Sequence, residues 1–205
     1  MAKKIRDPRS RQHIVEAAWR LLAHRGLSAT TVRAVAAEAE VSTGSVTHYF
    51  EDKAELINEV LRHNGKIASQ RVAEAVGDRH GLDAVQRATH GLLPVDEEML
   101  TCWRVWLALW SHQPDDTADG SSGGFAEGYQ VWRSLLRRHL NEAVADGELP
   151  DGLDLPHEIG VLATLVIGTG LLAGSDLSTR GQLHRRARRI FNEHFARLAQ
   201  QGSTV

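Results

Sequence analysis

The chain has 205 residues, of which 42% are hydrophobic and 24% are charged, and this composition excludes a disordered or collagen-like chain. The single cysteine, Cys102, excludes an intrachain disulfide and fits a reducing compartment. No apolar run of the signal-peptide type follows the first residues, and the longest uncharged stretch, 159–175, is shorter than the roughly 20 residues of a spanning helix. We therefore expect a cytoplasmic protein with no membrane segment.

The formal net charge of −2 conceals an asymmetry along the chain. Residues 1–53 hold nine Lys/Arg and six Asp/Glu, a net charge of +3, whereas residues 54–205 hold fifteen and twenty, a net charge of −5. A basic N-terminal segment followed by an acidic remainder is typical of a protein whose N-terminal segment contacts phosphate. An excess of three charges also arises by chance, so the charge alone leaves both interpretations open.

The first predicted helix has apolar residues at the i, i+3, i+4 and i+7 spacing of one buried face. They are Ile14, Ala17, Ala18, Leu21 and Leu22. Gly26 follows this face and is suited to end the helix, because glycine readily adopts the left-handed conformation of a helix cap. Thr30 or Thr31 is expected to cap a short second helix, and Ser42 a third that runs to about Tyr49.

The pattern of the remaining chain also predicts helices. Asp52 is expected to cap a fourth helix that extends to about residue 76. Further helices are predicted at about 82–92, 95–112, 125–146, 156–175 and 179–200, with prolines and glycines in the breaks between them. Because no alternating strand pattern of useful length occurs, the sequence predicts an all-α fold of about nine helices.

The segment 30–53 reads TTVRAVAAEAEVSTGSVTHYFEDK and fits two short helices joined by a tight turn. In a helix-turn-helix, the first helix crosses the DNA backbone and the second lies in the major groove. The second helix here, 43–49, is rich in small hydroxylated residues that can approach base edges. Four apolar residues are expected to hold the two helices together from inside: Ala36, Val41, Val46 and Phe50. A generic helical hairpin is the alternative.

Nine polar side chains are candidates for contacts with DNA. Some can reach base edges, others flanking phosphates, and the free amides at the starts of the two helices can also bind phosphate. The predicted DNA-binding residues are Thr31, Arg33, Ser42, Thr43, Ser45, Thr47, His48, Tyr49 and Lys53.

Four short motifs follow one another in this stretch. They are Thr30-Thr31, Ala-x-x-Ala-x-Val-Ser-x-Gly over 36–44, His48-Tyr49-Phe50 and Asp52-Lys53. In this order they resemble the TetR family of repressors, over residues 8–68 or so, with the helix-turn-helix at about 31–50. Many members of that family have Tyr where this chain has Thr47, so the operator sequence is not predicted by the resemblance.

Two segments are similar to the branch of that family that represses choline and glycine-betaine genes (the BetI type). They are Val41-Ser-Thr-Gly44 with His48-Tyr-Phe50, and Val105-Trp-Leu-Ala-Leu-Trp-Ser111. The resemblance implies an N-terminal helix-turn-helix DNA-binding domain, residues 1–53, and a C-terminal helical ligand-binding and dimerisation domain, residues 54–205.

The resemblance also implies a homodimer through the predicted helices at about 156–175 and 179–200. Burial of these helices in the core of a single chain is the alternative. In a two-fold dimer, the two copies of the helix at 43–49 would bind two half-sites of a near-palindromic operator. These half-sites would lie about one turn of the DNA helix apart, or a multiple of it. A small molecule bound to the C-terminal domain would favour a state that releases this double-stranded DNA.

Aromatic residues cluster in the middle of the chain. Trp103, Trp106 and Trp110 share one face of a predicted helix, and Tyr129 and Trp132 follow on the next. Residues 94–132 hold seven Asp/Glu against one Lys/Arg, and aromatic faces near carboxylates suit a quaternary ammonium group. We hypothesise that these five aromatic residues bind a small organic effector, with a cation as one candidate. Alternatively, the tryptophans simply fill the core between two helices.

Other functional classes lack their motifs in this sequence. No Gly-x-Ser-x-Gly elbow, Walker-type phosphate loop or His-Glu-x-x-His motif occurs. The eleven histidines are scattered without the spacing of metal ligands. We therefore expect no catalytic residue, no metal and no cofactor. A helical protein–protein adaptor without DNA binding, or a helical enzyme, is the alternative function.

Overall fold

The computed structural model describes residues 8–110, 123–175 and 180–202, and these form nine α-helices and no strand. The predicted all-α fold is confirmed. The helices are α1 Pro8–Ala29, α2 Val32–Glu38, α3 Thr43–Tyr49, α4 Lys53–Val76, α5 Gly81–Gly91, α6 Glu97–Trp110, α7 Gly123–Ala145, α8 Leu155–Gly174 and α9 Arg180–Gly202. The predicted extension of the sixth helix to residue 112 lies outside the described residues.

Local chemistry sets the helix boundaries. Gly26 interrupts α1 with φ 73° and ψ 176°, a backbone conformation that only glycine adopts without strain. The side chains of Thr31 and Ser42 cap α2 and α3 by accepting hydrogen bonds from Ala34 N and Ser45 N. Each such cap stabilises a helix by about 1 kcal/mol. The predicted caps are thus confirmed, although the last turn of α1 continues beyond Gly26.

The described residues within 1–66 and 104–125 form one compact unit, here called unit 1. The five apolar residues predicted for the inner face of the first helix are all buried in its core. The core also holds Val35, Ala36, Ala39, Val46, Phe50, Leu56, Val60 and Val105. Val41, the fourth residue predicted to join α2 to α3, is half-buried and packs against this cluster.

Polar contacts fix α1 to α4 within unit 1. The indole N–H of Trp19 donates to Oδ1 of Asn64 over 2.6 Å, and Asn64 is fully buried. Arg11 Nη2 lies 2.6 Å from Oε1 of Glu59. A buried amide that lost its partner would cost roughly 1–3 kcal/mol, so the Trp19–Asn64 pair constrains how the two helices pack.

The described residues within 67–103 and 126–205 form a second compact unit, unit 2. Arg71 joins α4 to the start of α6, because its Nη2 lies 2.6 Å from Oδ2 of Asp96, whose Oδ1 accepts from Met99 N. Glu148 joins the end of α7 to the start of α5 by accepting from Leu82 N over 2.7 Å. The predicted division into 1–53 and 54–205 remains a prediction.

Helix α8 is the most apolar element. It spans 20 residues, and its most apolar 18-residue window has a mean hydropathy of 1.5, so among the described residues it is the one helix long and apolar enough to cross a membrane. Core and interface helices of water-soluble proteins share these properties. Only 33% of its most apolar window is buried within the chain. Among the described residues, Leu172 is exposed and Val161 and Leu165 are half-buried, so this apolar face of α8, here called its open face, is only partly covered.

Candidate nucleic-acid interface

Helices α2 and α3 are short, and their geometry comes from the core beneath them. Val46 is 1% exposed, and Phe50, the C-cap of α3, is 2% exposed. The guanidinium of Arg11 lies over the Phe50 ring, 5.0 Å from its centroid. Because one face of α3 is held in this way, its opposite face is presented at a fixed orientation in unit 1.

The turn between α2 and α3 contains a strained residue. Glu40 has φ 54°, and it is the only non-glycine residue with a positive φ in the part of the chain that the structure describes. A left-handed conformation costs an L-residue about 1–2 kcal/mol. The turn is held by backbone hydrogen bonds from Glu40 N to Ala37 O and from Val41 N to Ala36 O, and His13 Nε2 lies 3.0 Å from Ala39 O.

The outer face of α3 consists of four exposed residues at helical spacing, Thr43, Gly44, Thr47 and His48. Ser45 is half-buried beside them, and its hydroxyl lies 2.9 Å from that of Ser42. The His48 ring meets the Tyr49 ring edge to face, with centroids 5.3 Å apart. A surface of small side chains and one imidazole fits a helix that approaches base edges closely.

Several other predicted DNA-binding residues make contacts within the protein. Thr31 and Ser42 use their side-chain oxygens as caps, while Arg33 is exposed on α2. Tyr49 is half-buried against the core of unit 1. Lys53 donates from Nζ to the carbonyl oxygen of Leu27 over 2.8 Å, which leaves two of its three ammonium protons for a phosphate.

Gly44, which lies on this interface, and Arg11, which supports it, are not among the predicted DNA-binding residues. Gly44 lies on the exposed face of α3, and its position inside a short helix of small residues was the available signal. Arg11 contacts both Glu59 and the Phe50 ring. No local pattern could have paired Arg11 with either, because these contacts join residues far apart in the sequence.

The ion pair between Arg11 and Glu59 lies next to Phe50, at the end of α3. The hydrogen bond from Arg11 lowers the pKa of Glu59, with attraction to the guanidinium adding to the effect. The same contact raises the pKa of Arg11. Both groups therefore remain charged at neutral pH, and Arg11 stays in place over Phe50.

The five aromatic residues predicted to bind an effector are distributed over both units. Trp106 and Trp110 belong to unit 1, whereas Trp103, Tyr129 and Trp132 belong to unit 2. Trp103, Trp106 and Trp132 are buried, and Tyr129 and Trp110 are half-buried. Three of the seven nearby acidic residues, Asp115, Asp116 and Asp119, lie outside the described residues. The effector site therefore remains a prediction.

Within unit 2, the indole N–H groups are tied to the backbone. Trp103 donates to the carbonyl oxygen of Leu92 over 2.8 Å, and Trp132 to that of Ala88 over 3.3 Å. The Tyr129 and Trp132 rings have centroids 6.5 Å apart. These contacts fix the positions of both indole rings within unit 2.

An open cleft of about 470 Å³ lies along α7 in unit 2. Its described lining consists of Gln130, Arg133, Ser134, Arg137, Arg138 and Asn141. The predicted aromatic residues are not part of this lining. Among the described residues, no cluster of three or more His, Cys, Asp or Glu has the geometry of a metal site.

Comparison with protein families identifies both halves of the chain. Residues 14–60 match the model for bacterial regulatory proteins of the tetR family. Residues 81–200 match the model for the C-terminal part of BetI-type transcriptional repressors. The first match contains α2 and α3, and the second contains α5 to α8 and most of α9.

Curated relatives are transcriptional regulators. The chain is 29% identical over 167 residues to the helix-turn-helix regulator PksA of Bacillus subtilis, covering 76% of this chain and 82% of that one. It is 34% identical over 112 residues to the regulator BetI of Burkholderia thailandensis, covering 51% of this chain and 56% of BetI. The match to BetI thus spans about half of that relative's length.

Solved structures share the fold. A TetR transcription regulator from Haloarcula marismortui superposes with a TM-score of 0.79 at 21% identity, covering 93% of this chain and 98% of that one. A transcriptional regulator from Saccharomonospora viridis, solved in complex with choline, gives 0.79 at 23% identity, covering 91% and 95%. These likenesses establish a shared helical architecture.

Proposed function

As the chain belongs to the TetR family of bacterial regulatory proteins and carries a BetI-type repressor domain over residues 81–200, we propose that it is a dimeric repressor that releases a near-palindromic operator when a small molecule binds its C-terminal part. Its relatives are DNA-binding regulators and not enzymes. The proposed place of action is the cytoplasm.

The observation that carries the proposal is the outer face of α3. Four exposed residues without bulky aliphatic side chains lie opposite a buried Val46, on a helix capped at both ends. A helix of this kind fits the major groove, which is ~12 Å wide. Thr43 and His48 offer hydrogen-bonding groups to base edges, and Arg33 on α2 offers a charge to the backbone phosphates.

The open face of α8 supports the dimer. Leu172 is 42% exposed, and Val161 and Leu165 are half-buried on the same helix. At Gly168, an added Cβ would meet nothing within 4 Å. Ile190 of α9 is also exposed, at 39%. An apolar surface of this kind is characteristic of an interface, and a two-fold pair would bury it against its copy.

The family match and the aromatic residues support a small effector. In unit 2, Tyr129 is half-buried with its ring centroid 6.5 Å from that of Trp132, and aromatic faces of this kind suit a cationic group. The choline complex of the structural relative from S. viridis is consistent with this chemistry. An effector acts only through its different affinity for the DNA-bound and released conformations.

DNA binding is tested with the genomic duplex that the purified protein selects. Fluorescence anisotropy should show an affinity that falls linearly with salt on logarithmic axes, because each neutralised phosphate releases counterions. Replacing Thr43 and His48 by Ala should weaken specific binding by about 1–3 kcal/mol per lost base contact.

Arg137→Ala supplies the matched control, since Arg137 is exposed on α7 in unit 2, outside the two helices of the proposed dimer interface. This variant should bind the duplex as the unaltered protein does. A protein that ignores every duplex at low salt would overturn the proposed function and favour the adaptor alternative.

The effector is tested by intrinsic tryptophan fluorescence during titration with choline, betaine and neutral controls of similar size. A cationic effector should change the emission and weaken DNA binding at the same concentrations. Emission and DNA affinity that respond to neutral compounds but not to cations would rule out the cationic preference.

A further inference from the structure

The outer face of α3 has an apolar patch between two polar groups. Thr43 and His48 carry the hydrogen-bonding groups, while Gly44 and Thr47 lie between them, one helical turn apart. The chemistry of this patch depends on which part of the Thr47 side chain is available to a partner.

The hydroxyl of Thr47 is directed back onto its own helix. Its Oγ1 lies 3.3 Å from the carbonyl oxygens of both Thr43 and Gly44, so its proton is shared within α3. Thr47 is nevertheless exposed, and the group that it presents outward is therefore its methyl group. The hydroxyls of Ser42 and Ser45 are likewise engaged with each other at 2.9 Å.

Gly44 has no side chain, so it leaves space on the surface beside Thr47. A Cβ added there would meet only Ser42 Oγ, at 3.7 Å, so no packing inside the protein requires a glycine at this position. Glycine also destabilises a helix interior relative to alanine. The space over Gly44 is thus open for a group from a partner.

The major groove presents one apolar group on its base edges, the C5 methyl of thymine. We propose that Thr47 recognises a thymine in each operator half-site through contact between its methyl group and the thymine methyl, which lies in the space over Gly44. This inference rests on the proposed function, because it requires α3 to lie in the major groove.

The alternative for the same residue is a hydrogen bond. The Thr47 oxygen retains lone pairs and can accept from the amino group of adenine or cytosine. The two modes require different atoms of Thr47, so two conservative substitutions separate them. Thr47→Val keeps the methyl group and removes the hydroxyl, whereas Thr47→Ser keeps the hydroxyl and removes the methyl group.

The test uses the full chain and its selected operator, in which each thymine pair related by the operator's symmetry is replaced in turn by deoxyuridine. At one position, loss of the two methyl groups should weaken binding about fourfold per half-site, the factor that corresponds to ~0.8 kcal/mol per buried CH₂. Thr47→Val should keep this discrimination. Thr47→Ser should bind more weakly and lose it.

Thr101→Ser is the matched control, because Thr101 on α6 is also back-bonded, with Oγ1 donating to Glu97 O over 2.7 Å, and lies outside α3 and the proposed dimer helices. It should leave the discrimination unchanged. Binding without any deoxyuridine effect, or a loss in Thr47→Val with none in Thr47→Ser, would overturn this inference while leaving the repressor intact. A protein that binds no duplex would overturn both.

Discussion

At the residue scale, Glu40 in the turn between α2 and α3 has a strained backbone conformation. Its φ of 54° belongs to the region that favours glycine. We predict that Glu40→Gly raises the free energy of unfolding by about 0.5–1 kcal/mol, because the 1–2 kcal/mol of strain exceeds the entropy that glycine adds to the unfolded chain. Urea denaturation followed by circular dichroism measures this change.

The matched control for Glu40 is Ala37→Gly, at an exposed position of α2 with helical geometry. This control should lose about 1 kcal/mol, the cost of glycine inside a helix. Equal losses in both variants would show that Glu40 is not strained in the folded protein.

Close packing in unit 2 gives a second residue-scale prediction. A Cβ at Gly170 would overlap the indole ring of Trp103, which is 1% exposed and cannot move into solvent. Gly170→Ala should therefore cost about 1–3 kcal/mol through overpacking and shift the tryptophan emission.

Gly160→Ala on the same helix meets nothing within 4 Å and serves as the control. It should be neutral or stabilise α8 by up to about 1 kcal/mol. If both glycines tolerate alanine equally well, Trp103 is not seated against Gly170 as described.

At the element scale, α8 and α9 are joined by a buried titratable pair. His194 Nε2 lies 3.2 Å from Oε2 of Glu158, and both residues are under 10% exposed. Arg197 Nη2 lies 2.9 Å from His194 Nδ1, so the neutral ring carries its proton on Nε2, the atom nearer to Glu158. Burial lowers the pKa of His194 below 6.5, with Glu158 opposing and Arg197 and His157 adding to the shift.

A lowered pKa makes the hairpin of α8 and α9 sensitive to acid. Below pH 6.5 the unfolded chain protonates this histidine while the folded chain does not, so stability falls as the pH decreases toward the folded pKa. We predict that His194→Gln reduces the loss of stability between pH 7.5 and 5.5, measured from urea midpoints. Parallel pH dependences in the variant and the unaltered protein would contradict this.

The helices themselves were largely predictable, because their signals are local. Ser42 caps α3 three residues before Ser45, and Gly26 interrupts α1 where the apolar pattern ends. The contact of Lys53 with Leu27 O could not be foreseen, since it depends on how α4 packs beside the end of α1. The surroundings of Trp103 likewise follow from the close approach of Gly170, which a sequence does not reveal.

At the scale of the whole molecule, the proposed function requires two copies of α3. One helix of seven residues contacts few base pairs, whereas a two-fold pair reads two half-sites. We predict that Leu172→Glu, which places a charge on the open face of α8, converts a two-chain species into single chains in sedimentation experiments. Operator affinity should fall in parallel.

Val131→Glu is the control for the dimer, because Val131 is 66% exposed on α7 and lies outside the proposed interface. This variant should remain a dimer with unchanged DNA binding. A Leu172→Glu protein that stays dimeric would place the interface elsewhere on the chain.

The central claim is that α3 lies in the major groove of duplex DNA and that a symmetric pair presents it twice. Protection of guanine N7 from dimethyl sulfate tests it most directly, because N7 is exposed in the major groove. We predict protected guanines in two half-sites about one helical turn apart, or a multiple of it, with protection lost in the Thr43, His48 double alanine variant. Binding that leaves every guanine N7 reactive would contradict the account.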